Sequence, residues 1–385
     1  MAETVDIAVV GAGSSGIVAA LAAARLGARV ALVEARPQVG GTAACGLHRF
    51  VCGLFAADGA KPGEPLHGAT AVDFCARLAQ GPVCEKAVRR GRVWVLPFAG
   101  GAALTACAGE LLAREANLRV ILNDTPEQVR CDGGKVVELV LASGLALRPG
   151  AVVDCTGSAA VCRAAGAAVT WPVSPALAGF GFELEQVDER AFGRLGASIE
   201  VPLLLRREVD EGRLPPHLAF TTYEPGERPG AAWIKLAVPP GSSEEPRREA
   251  DAAYDALKRH PAFRDARRVA FLPRVLQRET CHVCGEYVLT GQDVLAARTF
   301  EDGVVRNAWP IEHWDARRGV SYRYLPHGSW SEIPLRCLRP ARGPENLLCA
   351  GSALAADSEA AASVRVMAVC MASGEAAARQ GVRLL

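Results

Sequence analysis

Three glycines and one acid carry the first chemical signal in this chain. Gly11-Ala12-Gly13-Ser14-Ser15-Gly16 has the Gly-x-Gly-x-x-Gly spacing, and Glu34 follows Gly16 by eighteen residues. Gly11 suits a tight turn, Gly13 leaves room for a pyrophosphate against the backbone, and Gly16 lets a helix pack closely on a strand. A helix starting here would turn its positive dipole end towards the phosphates. The Glu34 carboxylate can accept both hydroxyls of a ribose. A dinucleotide is the ligand that suits this arrangement.

Further candidates lie downstream. Ile311-Glu312-His313-Trp314-Asp315 sets a histidine among acids, a place for a general acid or base near neutral pH. Arg336 and Arg339 offer planar forks for a substrate carboxylate, although the same residues would also suit a solvated surface loop. Cys281-His282-Val283-Cys284 has a spacing shared by zinc and redox sites. No second Cys/His pair stands nearby at zinc spacing, and the run reads as a strand. Buried cysteines are therefore the expectation, ahead of a redox pair, and no metal site is assigned. Cys45 and His48 follow a Gly-Gly turn and are expected to line the site without a covalent bond to a cofactor.

Positioning these residues requires a particular set of elements. Asp6 to Val10 is a short apolar run suited to a strand buried on both faces. Ile17 to Leu26 is rich in helix formers, Gly27 closes it, and Arg29 to Val33 is a second strand ending at Glu34. Ala35 and Arg36 lead to Gly40-Gly41-Thr42, where the chain can pass close to the dinucleotide. Leu118 to Leu122 and Gln128 to Leu141 read as strands, with a hairpin at Asp132-Gly133-Gly134. Val152-Val153-Asp154 reads as a strand that runs into Thr156-Gly157. Strands alternating with helices predict an α/β fold with a doubly wound parallel sheet. From Phe180 to about Pro334 aromatics, prolines and charges increase, the strands become short and alternating, and one helix, Pro246 to Arg259, interrupts them. That stretch reads as an inserted, mostly antiparallel α+β substrate domain. Asn346 to Gly351 and a long helix over Ala361 to Gln380 then complete the first domain. The expected division is 1–170 with 335–385 for the nucleotide domain and 171–334 for the insertion.

Three separated pieces together resemble FAD-dependent oxidoreductases with a glutathione-reductase-type Rossmann FAD domain. They are Gly11 to Gly16 with Glu34, Val153-Asp154-Cys155-Thr156-Gly157, and Asn346-Leu347-Leu348-Cys349-Ala350-Gly351. The resemblance implies that Thr156 and Gly157 lie beside FAD and that Gly351 lies near its ribityl phosphate. It also implies that the following helix points at the flavin ring. Gly285 to Thr290, Ile333 to Leu338 and Ser363 to Met367 narrow it to the broad bacterial FAD-dependent oxidoreductase family. Gly351 is followed by Ser352, where relatives usually carry Arg or Glu. A second Gly-x-Gly-x-x-Gly unit for NAD(P)H is absent. The implied activity is hydride or electron transfer between flavin N5 and a small organic substrate. Alternatives are a flavin-dependent monooxygenase or halogenase, of whose motif Trp330 and Ile333-Pro334 match a part, and an electron-transfer subunit serving a redox partner protein. The substrate is expected between the ring and the insertion, walled by Ala43 to Phe55, His313 and Arg336.

Composition bounds these readings. The 385 residues carry 43 Lys and Arg against 42 Asp and Glu, a formal charge of +1. That balance gives no electrostatic case for nucleic acid or an anionic membrane surface. No apolar run has the length to span a bilayer, and the first strand starts too early for a signal peptide. Thirteen cysteines, an odd number in apolar contexts, suggest free thiols and a cytoplasmic setting.

Overall fold

Strand β1 (Ala2–Val10) is fully buried from Ile7 onward, as its unbroken apolar run requires. The computed structural model describes residues 2–46, 48–174, 176–226, 228–241 and 245–385. From β1 the chain turns at Gly11 into α1 (Ser14–Arg25), whose Ser15 to Ala24 are all buried, and returns as β2 (Val30–Glu34). A helix apolar all round belongs inside a layered fold. After α2 (Gly41–Cys45) and α3 (Ala69–Leu78) come α4 (Gly101–Ala113) and β3 (Leu118–Leu122). The hairpin β4 (Pro126–Asp132) and β5 (Lys135–Leu141) leads into the long β6 (Ala146–Asp154).

These strands share one sheet in the order β3-β2-β1-β6-β5-β4. The β3, β2, β1 and β6 neighbours run parallel, and the β4–β5 hairpin adds antiparallel to β6. The sheet is completed from the far end of the chain. There Leu347–Cys349 pairs parallel with Val152 to Asp154 of β6. This is the α/β, doubly wound Rossmann architecture expected, discontinuous in sequence.

The insertion has its own antiparallel sheet, β7 (Ala178–Glu185), β8 (Thr222–Pro225), β9 (Ala232–Val238) and β10 (Arg267–Phe271), in the order β8-β9-β7-β10. Two helices pack with it, Ala197–Asp210 and Glu245–Leu257. Only the second was expected. The first contains Pro202 and leaves Ile199 and Leu203 exposed, which blurs the period a helix normally shows.

Two hydrophobic clusters organise the interior. One is built from residues between Ala178 and Leu272. The other gathers the Rossmann elements together with Cys281, Leu289, Ile311 and Ile333. The segment expected to be an insertion over 171–334 thus contributes its first part to a core of its own and its last part to the nucleotide core.

The C-terminal helix differs from expectation. Ala361 to Gln380 is not continuous: α-helix Ser358–Val364 ends at Arg365, Val366 is extended, and a second helix runs over Met367–Arg383. Val364 and Val366, β-branched residues in an alanine-rich run, mark the break. This second helix packs against α1. A Cβ on its Gly374 would stand 2.2 Å from the Ser15 carbonyl oxygen, so only glycine permits the crossing.

Candidate functional site

The glycine loop divides its labour. Gly11 has φ +94°, and a Cβ there would stand 2.5 Å from the Cys155 carbonyl oxygen. A Cβ on Gly16 would meet the Gly11 carbonyl oxygen at 1.7 Å. Both glycines are demanded by the fold itself. Gly13 is different: a Cβ there finds nothing nearer than Gly41 Cα at 4.0 Å. The open space above Gly13 is the room a pyrophosphate needs. Gly40 donates to the Ala12 carbonyl at 2.7 Å, and a Cβ on Gly41 would lie 2.8 Å from Gly13 Cα. The two glycine pairs therefore form one cradle. Ser14 opens α1, while Ser15 is buried, its hydroxyl 3.4 Å from Cys155 Sγ.

Glu34 is held for recognition. Its Oε2 accepts the Ala12 N–H at 2.7 Å and its Oε1 accepts the Arg36 N–H at 3.1 Å. Each carboxylate oxygen has a second lone pair, which leaves acceptors for two ribose hydroxyls. Ala35 forms the bend between the two. The Arg36 side chain donates to Cys45 Sγ at 3.1 Å. Arg274, which sequence reasoning missed, reaches Thr42 Oγ1 at 3.5 Å from the inserted unit. Burial and then the charge of Arg36 pull its pKa down. Two cations beside one cradle favour an anionic group between them.

The remaining glycine pieces meet at the same edge. Thr156 spends its hydroxyl on the turn, donating to Asp154 at 2.7 Å and accepting from Ala160 N–H at 3.0 Å. Gly157 has φ +73°, and a Cβ there would lie 3.3 Å from Ser352 Oγ. Gly351 (φ +81°) donates to Ser373 Oγ at 2.9 Å and abuts Ser15. Segments far apart in sequence close on the start of α1.

Next to this cradle a cavity of about 470 Å³ lies between the two cores, lined by Gly46 and His48 on one side and Trp233 and Phe271 on the other. Among the described residues His48 Nδ1 is enclosed without a hydrogen-bond partner. Its imidazole is pushed down to about 4 by burial, then by the charges of Lys235, Arg365 and Arg278. Cys52 is pushed up to about 12, chiefly by burial. Its carbonyl accepts the Ala368 N–H at 3.1 Å, which ties this wall to the start of the last helix. Burial, then the charge of Arg365, lowers Arg278 to about 10. The charges of Lys235, Arg278 and Arg365 thus reach His48 from outside the residues that line the cavity.

A family model described as FAD dependent oxidoreductase matches residues 6–380. The chain belongs to that family. The cofactor of this FAD-dependent oxidoreductase is FAD, and the open Gly13 cradle with its two spare Glu34 acceptors fits such a dinucleotide. A solved structure of a geranylgeranyl bacteriochlorophyll reductase-like protein from Thermoplasma acidophilum is 14% identical. It is covered over 79% of its chain by all of this one, with a TM-score of 0.50, a likeness of fold. The p-nitrophenol 4-monooxygenase PnpA from Pseudomonas putida DLL-E4 is 18% identical, with 74% of this chain and 71% of that chain covered and a TM-score of 0.45. A probable FAD-dependent monooxygenase from Pseudomonas aeruginosa, pqsL, is 15% identical, with 95% and 84% covered and a TM-score of 0.44.

In this oxidoreductase the polar residues singled out downstream occupy different settings. His313 is exposed on the hairpin Ile311–Asp315 with Gly319–Arg323, opposite Ser321. Glu312, on the other face, accepts from the indoles of Trp314 at 2.7 Å and Trp309 at 3.2 Å. Arg336 is held by Asp302 through Nε and Nη2, each at 3.1 Å, and its guanidinium lies over the Tyr287 ring. His313 and Arg336 are thus held in separate contacts. Cys281 donates to the Ser158 carbonyl at 2.9 Å, and Cys284 lies beyond the two-residue strand His282–Val283. All thirteen cysteines are free. No helix among the described residues is long and apolar enough to cross a membrane.

Sequence reasoning also missed Lys235, Arg278 and Arg365. One signal was available. Lys235 is the single charge inside the otherwise apolar strand Ala232–Val238.

Proposed function

We propose that this enzyme moves hydride or electrons between FAD and a small organic substrate held in the hollow beside His48. Bound FAD supplies the redox chemistry at flavin N5. Gly11, Gly13, Ser14, Gly16, Gly40, Gly41 and Thr42 would hold its pyrophosphate, with Arg36 and Arg274 as counter-charges. Glu34 and Ala35 would hold the ribose, and Gly157, Gly351 and Ser352 the ribityl side. Ser15 and Thr156 shape the cradle through Cys155, Asp154 and Ala160. These three glycine pieces closing on α1 support a glutathione-reductase-type FAD domain.

The observation that carries the reading is His48. It sits in the segment that follows the Gly40-Gly41 turn, yet feels charges from the antiparallel sheet, the connector and the last helix junction. A site formed by both cores can enclose a substrate and exclude water. Its depressed pKa leaves the imidazole neutral at pH 7, and its unpartnered Nδ1 is available to hydrogen-bond a substrate hydroxyl or amine at the flavin. His313, exposed on its hairpin and not among the residues lining the cavity, is the alternative acid–base group. Arg336 is already engaged by Asp302, and an Arg336→Met variant is expected to turn over like the wild type.

Anaerobic mixing with a panel of small alcohols, hydroxy acids and amino acids tests this. Bleaching of the flavin by one substrate alone supports the proposal. Bleaching only by NAD(P)H, followed by oxygen uptake, would replace it with a monooxygenase. Reduction only in a co-purified complex would replace it with an electron-transfer subunit. His48→Gln is expected to slow the reductive step by about 10²–10⁴-fold with FAD retained, and His313→Ala to leave it unchanged.

A further inference from the structure

We infer that Glu279 and His282 form a buried carboxylate–imidazolium pair that positions the two loops on the ribityl side of FAD. The inference rests on the proposed placement of the cofactor and adds positioning residues to it. It starts at the run Cys281-His282-Val283-Cys284, whose thiols are free. Three successive side chains here, Thr280, Cys281 and His282, each meet a backbone carbonyl. Thr280 Oγ1 donates to Gly157, Cys281 Sγ donates to Ser158 at 2.9 Å, and His282 Nδ1 lies 3.1 Å from the Leu354 oxygen. Gly157 and Ser158 follow Thr156, and Leu354 ends the turn Gly351–Ala353. One short segment thereby fastens the Gly157 loop to the Gly351 loop.

Counting protons gives the charge of the ring. A carbonyl oxygen only accepts, so Nδ1 must carry a hydrogen to bond Leu354. Nε2 lies 3.2 Å from Glu279 Oε1, and a carboxylate likewise only accepts. Both contacts are made together only by a ring protonated on both nitrogens. Placing the extra proton on Glu279 instead is opposed by its surroundings. Burial raises the Glu279 pKa, yet hydrogen bonds with His282 and Ser358 and the charges of His282 and Arg365 bring it below its ordinary value. The His282 and Glu279 side chains are 5% and 7% exposed, so water does not make up for a lost contact.

The neighbouring acids are engaged elsewhere. Asp154 accepts from the Thr156 and Cys162 N–H groups, Asp357 accepts from Gly291 and Ala360, and Glu359 pairs with Arg323. Glu279 is left as the counter-ion. A neutral ring keeps one of the two contacts and sets a lone pair against the other acceptor. Losing the second proton therefore loosens the hold on the loop that carries Gly351 and Ser352.

Nitrogen-15 spectra of histidine-labelled, FAD-loaded protein at about pH 7.5 test the pair directly, since an ordinary histidine is mostly neutral there. A ring with both nitrogens protonated is expected in the wild type, and its signal should be absent from His282→Gln and from Glu279→Gln. The amide of Glu279→Gln can donate to Nε2, so this variant keeps a hydrogen-bonded, neutral ring. If His282→Gln does not fold, Glu279→Gln alone decides. The dissociation constant of FAD, followed from about pH 6 to 10, tests positioning. Wild type is expected to bind about tenfold or more weakly once the second proton leaves. Glu279→Gln should hold FAD evenly across the same range. No doubly protonated ring in the wild type, one that survives in Glu279→Gln, or equally flat profiles with FAD bound would overturn the inference. A wild type that binds FAD at no pH would contradict the cofactor placement itself, and this inference with it.

Discussion

His48 and His67 show how single residues couple the site to its surroundings. Both imidazoles are pushed down to about 4, His48 by burial and three cations, His67 chiefly by burial. His67 bonds the Gly53 carbonyl at 2.7 Å through Nε2, so in its neutral form it donates there. Folding keeps both rings neutral, whereas the unfolded chain takes up a proton at each below the ordinary value of 6.5. Stability is therefore full above about pH 6.5 and declines as pH falls towards 4, by on the order of 1–3 kcal/mol per ring. Thermal unfolding at about pH 7.5 and pH 5 should show this loss, and His67→Gln should reduce it. A profile unchanged by that substitution would mean that the ring titrates normally. The cysteines make a second residue-scale prediction. Only Cys84 and Cys131 are exposed, so a thiol reagent should label these two first and reach thirteen only after denaturation. At this scale the glycines and Glu34 were legible in the sequence, because a dinucleotide imposes local backbone shapes that only certain residues adopt. Lys235 was marked only as the one charge in an apolar strand, and Arg278 and Arg365 were not legible. They are 43 and 87 residues apart along the chain (278 minus 235, 365 minus 278), and only tertiary packing brings them to one imidazole.

Among the elements, the crossing of α1 with the last helix determines where the cradle lies. Its contact is made by Ser15 against Gly374 and Gly351, with no room for a methyl group at Gly374. Gly374→Ala should cost about 2–3 kcal/mol, read in chemical denaturation, because backbone rather than a flexible side chain must move. It should also weaken FAD retention, since α1 carries Ser14 and Gly16. Wild-type stability in this variant would show that the two helices separate easily. The parallel strands and α1 were legible in their apolar runs. The break at Val366 was overlooked, since alanine-rich sequence on both sides promises one continuous helix. The helix Ala197–Asp210 was missed because its Pro202 argues locally against a conformation that packing imposes.

At the scale of the whole molecule, two cores meet at the cavity beside His48, and the nucleotide core is assembled from both ends of the chain. Ligand binding to such a cradle acts only on the folded state. Adding FAD at about a hundred times its dissociation constant should stabilise the nucleotide core by about 2.7 kcal/mol. The discontinuous sheet was legible because Leu347–Cys349 reads as a buried strand ending at a glycine. The partition of residues 281–338 into the nucleotide core was not, since short polar strands carry no label for the core they join.

The most direct measurement is the FAD content of purified wild type and of Gly13→Leu, read by absorbance after release, alongside their circular dichroism. Gly13 has φ −74°, and a Cβ there meets nothing nearer than 4.0 Å, so the backbone accepts a side chain whose further atoms would occupy the pyrophosphate position. The expected result is one FAD per wild-type chain, and a folded Gly13→Leu chain that retains none even with FAD added. A wild type that takes up no FAD, or a variant that binds it equally well, would contradict the placement of the cofactor on which the site rests.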